Sequence, residues 1–78
     1  MKTTMLLDTG PLVAFINRQD NYHSWAVEQL SRIEPPLISC EAVLSESCFL
    51  LRNLPEGSKA VLELVNRGLI ELPFRVIL

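Results

Sequence analysis

Short apolar runs along the chain alternate with stretches in which apolar residues recur at helical spacing. Three runs, at residues 4–7, 37–39 and 69–72, predict strands. These runs are mostly apolar instead of alternating with polar residues, which is typical of strands buried on both faces of a parallel sheet. The stretches between them show the periodicity of amphipathic helices. The pattern therefore predicts strands and helices that follow one another in turn.

Four helices are predicted, each bounded by a capping residue or a helix breaker. They cover residues 11–16, 22–33, 40 to about 53, and 59–67. Thr9 or Gly10 is expected to cap the first helix and Ser39 the third, because these residues favour helix starts. Gly68 is expected to follow the fourth helix, where the chain needs a left-handed residue.

This order predicts an α/β fold in which a short parallel sheet of about three strands is flanked by helices. In sheets of this kind, ligands bind beyond the carboxyl ends of the strands. Asp8 follows directly on the first predicted strand, and Glu46 lies on the helix that leaves the second. Two carboxylates are therefore expected at the same edge of the sheet.

Composition and charge narrow the range of functions. The chain has 78 residues, 49% of them hydrophobic, and a formal net charge of −2. A chain of this length forms one small domain, and its apolar content argues against disorder. The seven cationic residues are spread along the sequence, so there is no basic face typical of non-specific nucleic-acid binders. An acidic site can still meet phosphate through a divalent cation.

Compartment and redox state follow from the same composition. No apolar run approaches the ~20 residues needed to cross a bilayer, and the first residues do not resemble a secretion signal. We therefore expect no membrane association and a cytoplasmic location. Cys40 and Cys48 fall within one predicted helix, about 12 Å apart, which is too far for a disulfide. Both are expected to be reduced thiols.

Glu46 is the most informative single residue. Its neighbours one helical turn away, Ala42, Val43, Phe49 and Leu50, are all apolar. This pattern predicts that Glu46 is directed toward the sheet, where an unpartnered carboxylate would be costly to bury. The alternative is a half-exposed glutamate at the margin of the polar face.

Asp8 also has two interpretations. A carboxylate just before a helix can serve only as its cap. Because Glu46 leaves the neighbouring strand at the same edge, a shared site explains both residues better. Mg²⁺ is commonly held by one or two carboxylates while it keeps several waters.

With these residues in place, the sequence resembles the PIN domain family and, within it, the VapC-type toxin ribonucleases. The resemblance rests on LLDTGPLVA at residues 6–14 and on ISCEAVLSE at residues 38–46, followed by LLR at residues 50–52. It implies a metal-dependent endoribonuclease whose acidic residues bind Mg²⁺ or Mn²⁺, activate a water and stabilise charge on the cleaved phosphate. Asp8 matches the first acidic residue of the family and Glu46 the second. Thr9 matches a position that often holds a hydroxyl near the metal.

The resemblance also implies partners, namely an RNA substrate and a small protein antitoxin that inserts into the active-site groove. The family's further aspartates and two more strands would come after Leu78. Residues 1–78 are therefore expected to form a single, incomplete PIN-like domain with weak or absent activity. The first strand would then be an exposed edge, which favours pairing with a second copy. A homodimer or higher oligomer is expected.

Three other features leave alternatives open. Asp8-Thr9-Gly10 is also the signature of aspartic proteases, but such a fold is all-β with a glycine-rich flap, and this chain has three glycines and several predicted helices. The second alternative belongs to another class of protein: a non-catalytic helical interaction module, or a degenerate remnant that folds only by self-association. His23 is expected to be structural, since no nucleophile is visibly paired with it. Trp25 is expected in the core or on a dimer surface.

Overall fold

The structure is a computed structural model that describes residues 6–72. It contains two strands and four helices. The strands are β1 (Leu37–Ile38) and β2 (Ile70–Glu71), and the helices are α1 (Thr9–Ile16), α2 (His23–Ser31), α3 (Glu41–Leu50) and α4 (Gly57–Asn66). A pair of helices precedes each strand along the chain.

The sheet is parallel throughout its described part. β1 pairs with β2, with Leu37 opposite Ile70 and Ile38 opposite Glu71. On the other side of β1, Leu6 forms a parallel bridge to Ile38. Three parallel segments flanked by helices confirm the predicted fold class. Of the first predicted strand, residues 4 and 5 lie outside the described residues.

The core lies between the sheet and the helices. It is formed by five buried aliphatic side chains, Leu7, Leu12, Leu51, Val61 and Ile70. Burying an aliphatic side chain of this size contributes about 1.5–3 kcal/mol relative to leaving it exposed. Since these residues come from the first strand segment, α1, the end of α3, α4 and β2, the core holds α1 and α3 to the same sheet.

The start of α1 differs from the prediction. The N-cap is Asp8, the alternative to the expected Thr9 or Gly10, and its Oδ1 accepts a hydrogen bond of 2.8 Å from the Thr9 backbone N–H. The first N–H groups of a helix have no intrahelical partner, so a carboxylate that leaves the sheet just before them satisfies one. The helix therefore begins two residues earlier than the pattern indicated.

The predicted cap of α3 was also wrong. Cys40 is the N-cap and makes no side-chain capping bond. Ser39 instead lies between β1 and α3 as a buried residue, and its Oγ donates a 3.1 Å hydrogen bond to the carbonyl of Leu7. Ser39 also continues the pairing of β1 with β2, since its N–H donates to the carbonyl of Glu71. A sheet position thus prevailed over the capping preference.

Gly68 follows α4 as predicted. Its φ of +76° is in the left-handed region that favours glycine. The N–H of Gly68 donates to the carbonyl of Val65, and the N–H of Leu69 donates to the carbonyl of Leu64. The donor–acceptor distance is 3.0 Å in both bonds. These two bonds form a Schellman motif, which turns the chain from α4 into β2.

Two further expectations concern the membrane and the thiols. Among residues 6–72, no helix is both long enough and apolar enough to cross a membrane. Cys40 and Cys48 are free thiols, as predicted.

Candidate functional site

Asp8 lies at the carboxyl edge of the sheet. It follows Leu7, whose N–H donates a 2.7 Å hydrogen bond to the carbonyl of Ile38. The side chain is exposed, and its hydrogen bond to Thr9 uses Oδ1. The capping role is therefore confirmed. A carboxylate has about four acceptor positions on two oxygens, so capping leaves acceptor capacity at Oδ2 for a second ligand.

Glu46 lies in the second turn of α3, and the expectation that it faces the sheet was wrong. Glu46 is exposed, as are its neighbours Ala42, Phe49 and Leu50. The inward position is taken by Ser47, which is fully buried and donates a 2.7 Å hydrogen bond to the carbonyl of Val43. A serine whose hydroxyl bonds to its own helix can occupy a core position without an unsatisfied donor. Glu46 is thereby accessible to a cation from solvent.

Thr9 is buried, with 8% of its surface exposed, at the start of α1 beside Asp8. It follows Asp8 at the carboxyl edge of the sheet. The backbone N–H of Thr9 donates a hydrogen bond to the Asp8 carboxylate. This bond fixes the orientation of the Asp8 side chain.

The two candidate ligands are carried by segments that are joined at the sheet edge. The Ser39 hydroxyl donates a hydrogen bond to the carbonyl of Leu7. Leu7 directly precedes Asp8, and Ser39 directly precedes Cys40, the N-cap of α3. α1 and α3 begin at this edge and pack against each other. Leu50, one turn beyond Glu46 on the same side of α3, lines a groove with Gly10 and Pro11 at the start of α1. Glu46 precedes Leu50 by one helical turn on α3, and it is itself exposed to solvent.

The charges around the site suit a cation. Residues 6–72 form two ion pairs, Arg32 with Glu28 and Arg67 with Glu63, each between exposed side chains one helical turn apart. Neither pair involves Asp8 or Glu46, so their negative charge is not neutralised by a pairing within the described residues. Exposed carboxylate oxygens are the ligands that Mg²⁺ prefers. No group of three or more histidine, cysteine, aspartate or glutamate side chains suited to a metal ion occurs within residues 6–72.

His23 and Trp25 can now be assigned. Nδ1 of His23 lies 2.8 Å from the carbonyl oxygen of Ala14 and donates to it, which ties the start of α2 to α1. This confirms the structural role predicted for His23. Trp25 is 54% exposed, which excludes the core position. It lines the groove beside Leu50 together with Tyr22.

Comparison with known protein families shows which family this chain belongs to. A sequence model of the PIN domain family matches residues 5–78. The chain belongs to the PIN domain family. PIN domains are nucleases that act on RNA and generally depend on divalent metal ions. The resemblance seen in the sequence is confirmed at the level of the family, and the aspartic-protease alternative is excluded. No curated protein was found to match the chain.

This PIN domain has one feature near Glu46 that the sequence analysis did not identify. The guanidinium carbon of Arg52 lies 4.0 Å from the centroid of the Phe49 ring. In the sequence, an aromatic residue followed three positions later by an arginine on the same helix indicates a cation–π pair of this kind. The pair lies at the end of α3, beyond Glu46.

Proposed function

We propose that this PIN domain is a metal-dependent endoribonuclease in which Asp8 and Glu46 hold one Mg²⁺ or Mn²⁺ ion. One observation carries the proposal. Two exposed carboxylates without ionic partners among residues 6–72 lie on segments that the Ser39–Leu7 hydrogen bond joins at the carboxyl edge of a parallel sheet. In sheets of this type that edge is where ligands bind.

Each residue has a distinct part in the proposed reaction. Asp8 binds the cation through the oxygen that does not cap α1, and the cap fixes the rotation of its carboxylate. Glu46 provides a second oxygen from α3, and Thr9 stands beside Asp8 with its hydroxyl as a further candidate ligand. When bound, the ion supplies an activated water and positive charge for the phosphate being cleaved. The hydrolysed bond is a phosphodiester of RNA, the substrate class of the family.

The activity is expected to be modest. Affinity for hard cations rises with the number of charged ligands, and two carboxylates make a weak site. Both Asp8 and Glu46 are exposed, so water competes with them for the ion. Slow turnover that depends on added Mn²⁺ or Mg²⁺ is the result we expect.

The partners belong to the same proposal. The VapC-like segments at residues 6–14 and 38–46 support a toxin of a toxin–antitoxin system, located in the cytoplasm and inhibited by a small protein antitoxin. The apolar groove that Leu50, Gly10 and Pro11 line beside the site has the character of a surface to which such an inhibitor would bind.

A second candidate function rests on the exposed apolar side chains. Leu6, at the edge of the sheet that residues 6–72 form, is 77% exposed, and Tyr22 and Trp25 are also exposed. An unpaired apolar strand edge favours pairing with another copy. A self-associating module without catalytic activity would use these residues, and a homodimer is also compatible with the nuclease.

Cleavage of RNA by the purified chain tests the proposal. Wild-type protein is incubated with a fluorogenic single-stranded RNA and Mn²⁺, beside Glu46→Gln and the control Glu41→Gln. Both glutamates are exposed on α3, so the control removes a charge from the same helix. We expect cleavage by wild type and Glu41→Gln but not by Glu46→Gln. Equal rates for the two variants would refute the assignment of Glu46.

A further inference from the structure

The exposed face of α3 carries an aromatic ring and a cation next to the candidate metal ligand. Phe49 follows Glu46 by three residues, which places it on the adjoining part of the same face about 4.5 Å farther along the helix axis. Phe49 is 60% exposed, and the Arg52 guanidinium lies over one face of its ring. A large aromatic side chain in this position is not used by the core.

Arg52 is held in place before any ligand arrives. Its Nη1 donates a 2.7 Å hydrogen bond to the carbonyl of Phe49, and its guanidinium lies over the Phe49 ring. Arg32 and Arg67 pair with glutamates, whereas Arg52 takes part in neither ion pair formed by residues 6–72. A guanidinium has five N–H donors. One bond to a carbonyl therefore leaves donors and a full positive charge for an anionic ligand.

We propose that Phe49 and Arg52 form a contact for single-stranded RNA beside the catalytic edge. A base stacks on the Phe49–Arg52 pair, and the guanidinium binds a backbone phosphate. Unpaired bases stack on aromatic rings and on arginine side chains, and the positive charge of the arginine provides the electrostatic part of the affinity. The inference rests on the proposed function, because the strand held here would be the substrate that Glu46 helps to cleave. It adds residues that bind and position that strand.

The simpler structural interpretation is that Arg52 only caps the last carbonyls of α3. A lysine near a helix C-terminus can serve that purpose as well, because it too donates to carbonyls and complements the dipole. Stacking on a ring and on a base requires the planar guanidinium. An Arg52→Lys substitution therefore separates the two roles, since it preserves the charge and the cap but removes the stacked plane.

Binding of RNA without cleavage is the direct test. Fluorescence anisotropy of a labelled single-stranded RNA is measured in EDTA, where no divalent ion contributes, for wild type, Phe49→Leu and Arg52→Lys. The matched controls are Trp25→Leu, another exposed aromatic, and Arg32→Lys, another exposed arginine. Loss of a stacked base costs about 1–3 kcal/mol, so each test variant should bind about ten-fold more weakly. The RNA affinity of each control variant should stay within about two-fold of the wild-type affinity.

Salt dependence provides a second readout. Arg52→Gln should lower the slope of log affinity against log salt by about one unit, whereas Arg52→Lys should leave it unchanged. Unchanged affinity in both Phe49→Leu and Arg52→Lys would overturn the proposal, as would the absence of RNA binding by wild type. A shift of the oligomeric state in these variants, with RNA affinity unaltered, would assign the surface to a protein partner and overturn it as well.

Failure of this contact is distinguishable from failure of the proposed function. Glu46→Gln should abolish cleavage, while its RNA affinity in EDTA should not fall below the wild-type value, because the substitution removes a negative charge beside the RNA contact. If wild type never cleaves RNA but its binding still depends on Phe49, the contact is supported and the nuclease assignment fails. If Phe49→Leu cleaves with an unaltered KM, the contact fails and the nuclease assignment is supported.

Discussion

The hydroxyl of Ser39 donates a hydrogen bond of 3.1 Å to the carbonyl oxygen of Leu7, a residue 32 positions earlier in the chain. Ser39 is only 6% exposed, so this bond is shielded from water. Leu7 directly precedes Asp8, and Ser39 lies two residues before α3, which carries Glu46. The bond therefore joins the two segments from which the proposed metal ligands extend.

Replacing Ser39 should weaken the fold. Ser39→Ala removes the donor and leaves the Leu7 carbonyl without this partner, which costs about 1–3 kcal/mol at a buried site. Urea unfolding should show a lower midpoint with an unchanged slope. Ser45→Ala is the control, since Ser45 is exposed on α3 and alanine is the better helix former. Equal midpoints for Ser39→Ala and wild type would show that the bond does not stabilise the sheet edge.

Asp8 has an observed capping role and a proposed metal-binding role, which substitution can separate. Asn caps helices about as well as Asp, whereas Ala at an N-cap costs about 1 kcal/mol. Asp8→Asn should therefore retain nearly wild-type stability but lose metal binding, and Asp8→Ala should lose both. Urea denaturation and Mn²⁺ titration of each variant provide the comparison. If Asp8→Asn binds Mn²⁺ like wild type, Asp8 is a cap only.

The approach of α4 to the end of α3 depends on a glycine. A Cβ atom at Gly57 would lie 2.7 Å from the Leu51 carbonyl oxygen and 2.8 Å from the Leu51 Cβ. Gly57→Ala should thus be destabilising by about 1–3 kcal/mol, because the helices must move apart. At Gly10, in the first turn of α1, a Cβ would meet nothing within 4 Å. Gly10→Ala should be neutral or stabilising, and equal melting temperatures for the two variants would contradict this packing.

Self-association should depend on the sheet edge. Leu6 is highly exposed and pairs with β1 on one side, so a lysine there should discourage edge pairing. Size-exclusion chromatography with light scattering should show a concentration-dependent dimer for wild type that Leu6→Lys shifts toward monomer. Leu62→Lys, at an exposed leucine on α4, should behave like wild type. A wild-type protein that stays monomeric at all concentrations would refute the proposed dimer.

Much of the fold was predictable because it depends on local signals. The apolar runs before Asp8, around Leu37 and around Ile70 are short and bounded by polar residues or breakers, so they are difficult to mistake for helices. Gly68 was predictable for a similar reason, because few other residues tolerate its backbone conformation.

The errors arose where a residue had two satisfactory local roles. Ser39 is a good helix cap and also a good partner for a neighbouring strand, and only the position of Leu7 decides between these roles. On α3, the predicted inward face contained Glu46, whereas the observed one contains Ser47. The inward face includes Ser47 because its hydroxyl can bond to the carbonyl of Val43, a possibility that hydrophobic periodicity does not reveal. That α1 and α3 begin at the same sheet edge was predicted from topology, whereas the exposure of Glu46 was only the alternative to its predicted inward orientation.

Mn²⁺ binding by the Asp8 and Glu46 variants tests the central claim most directly. Isothermal titration is performed on wild type, Asp8→Asn, Glu46→Gln and the double variant, with Glu41→Gln as the control for charge. If the two carboxylates share one ion, either single substitution should remove the same site, and the double variant should lose little more than each single one. Wild-type affinity in Glu46→Gln, or losses that add independently, would contradict a site shared by these two residues.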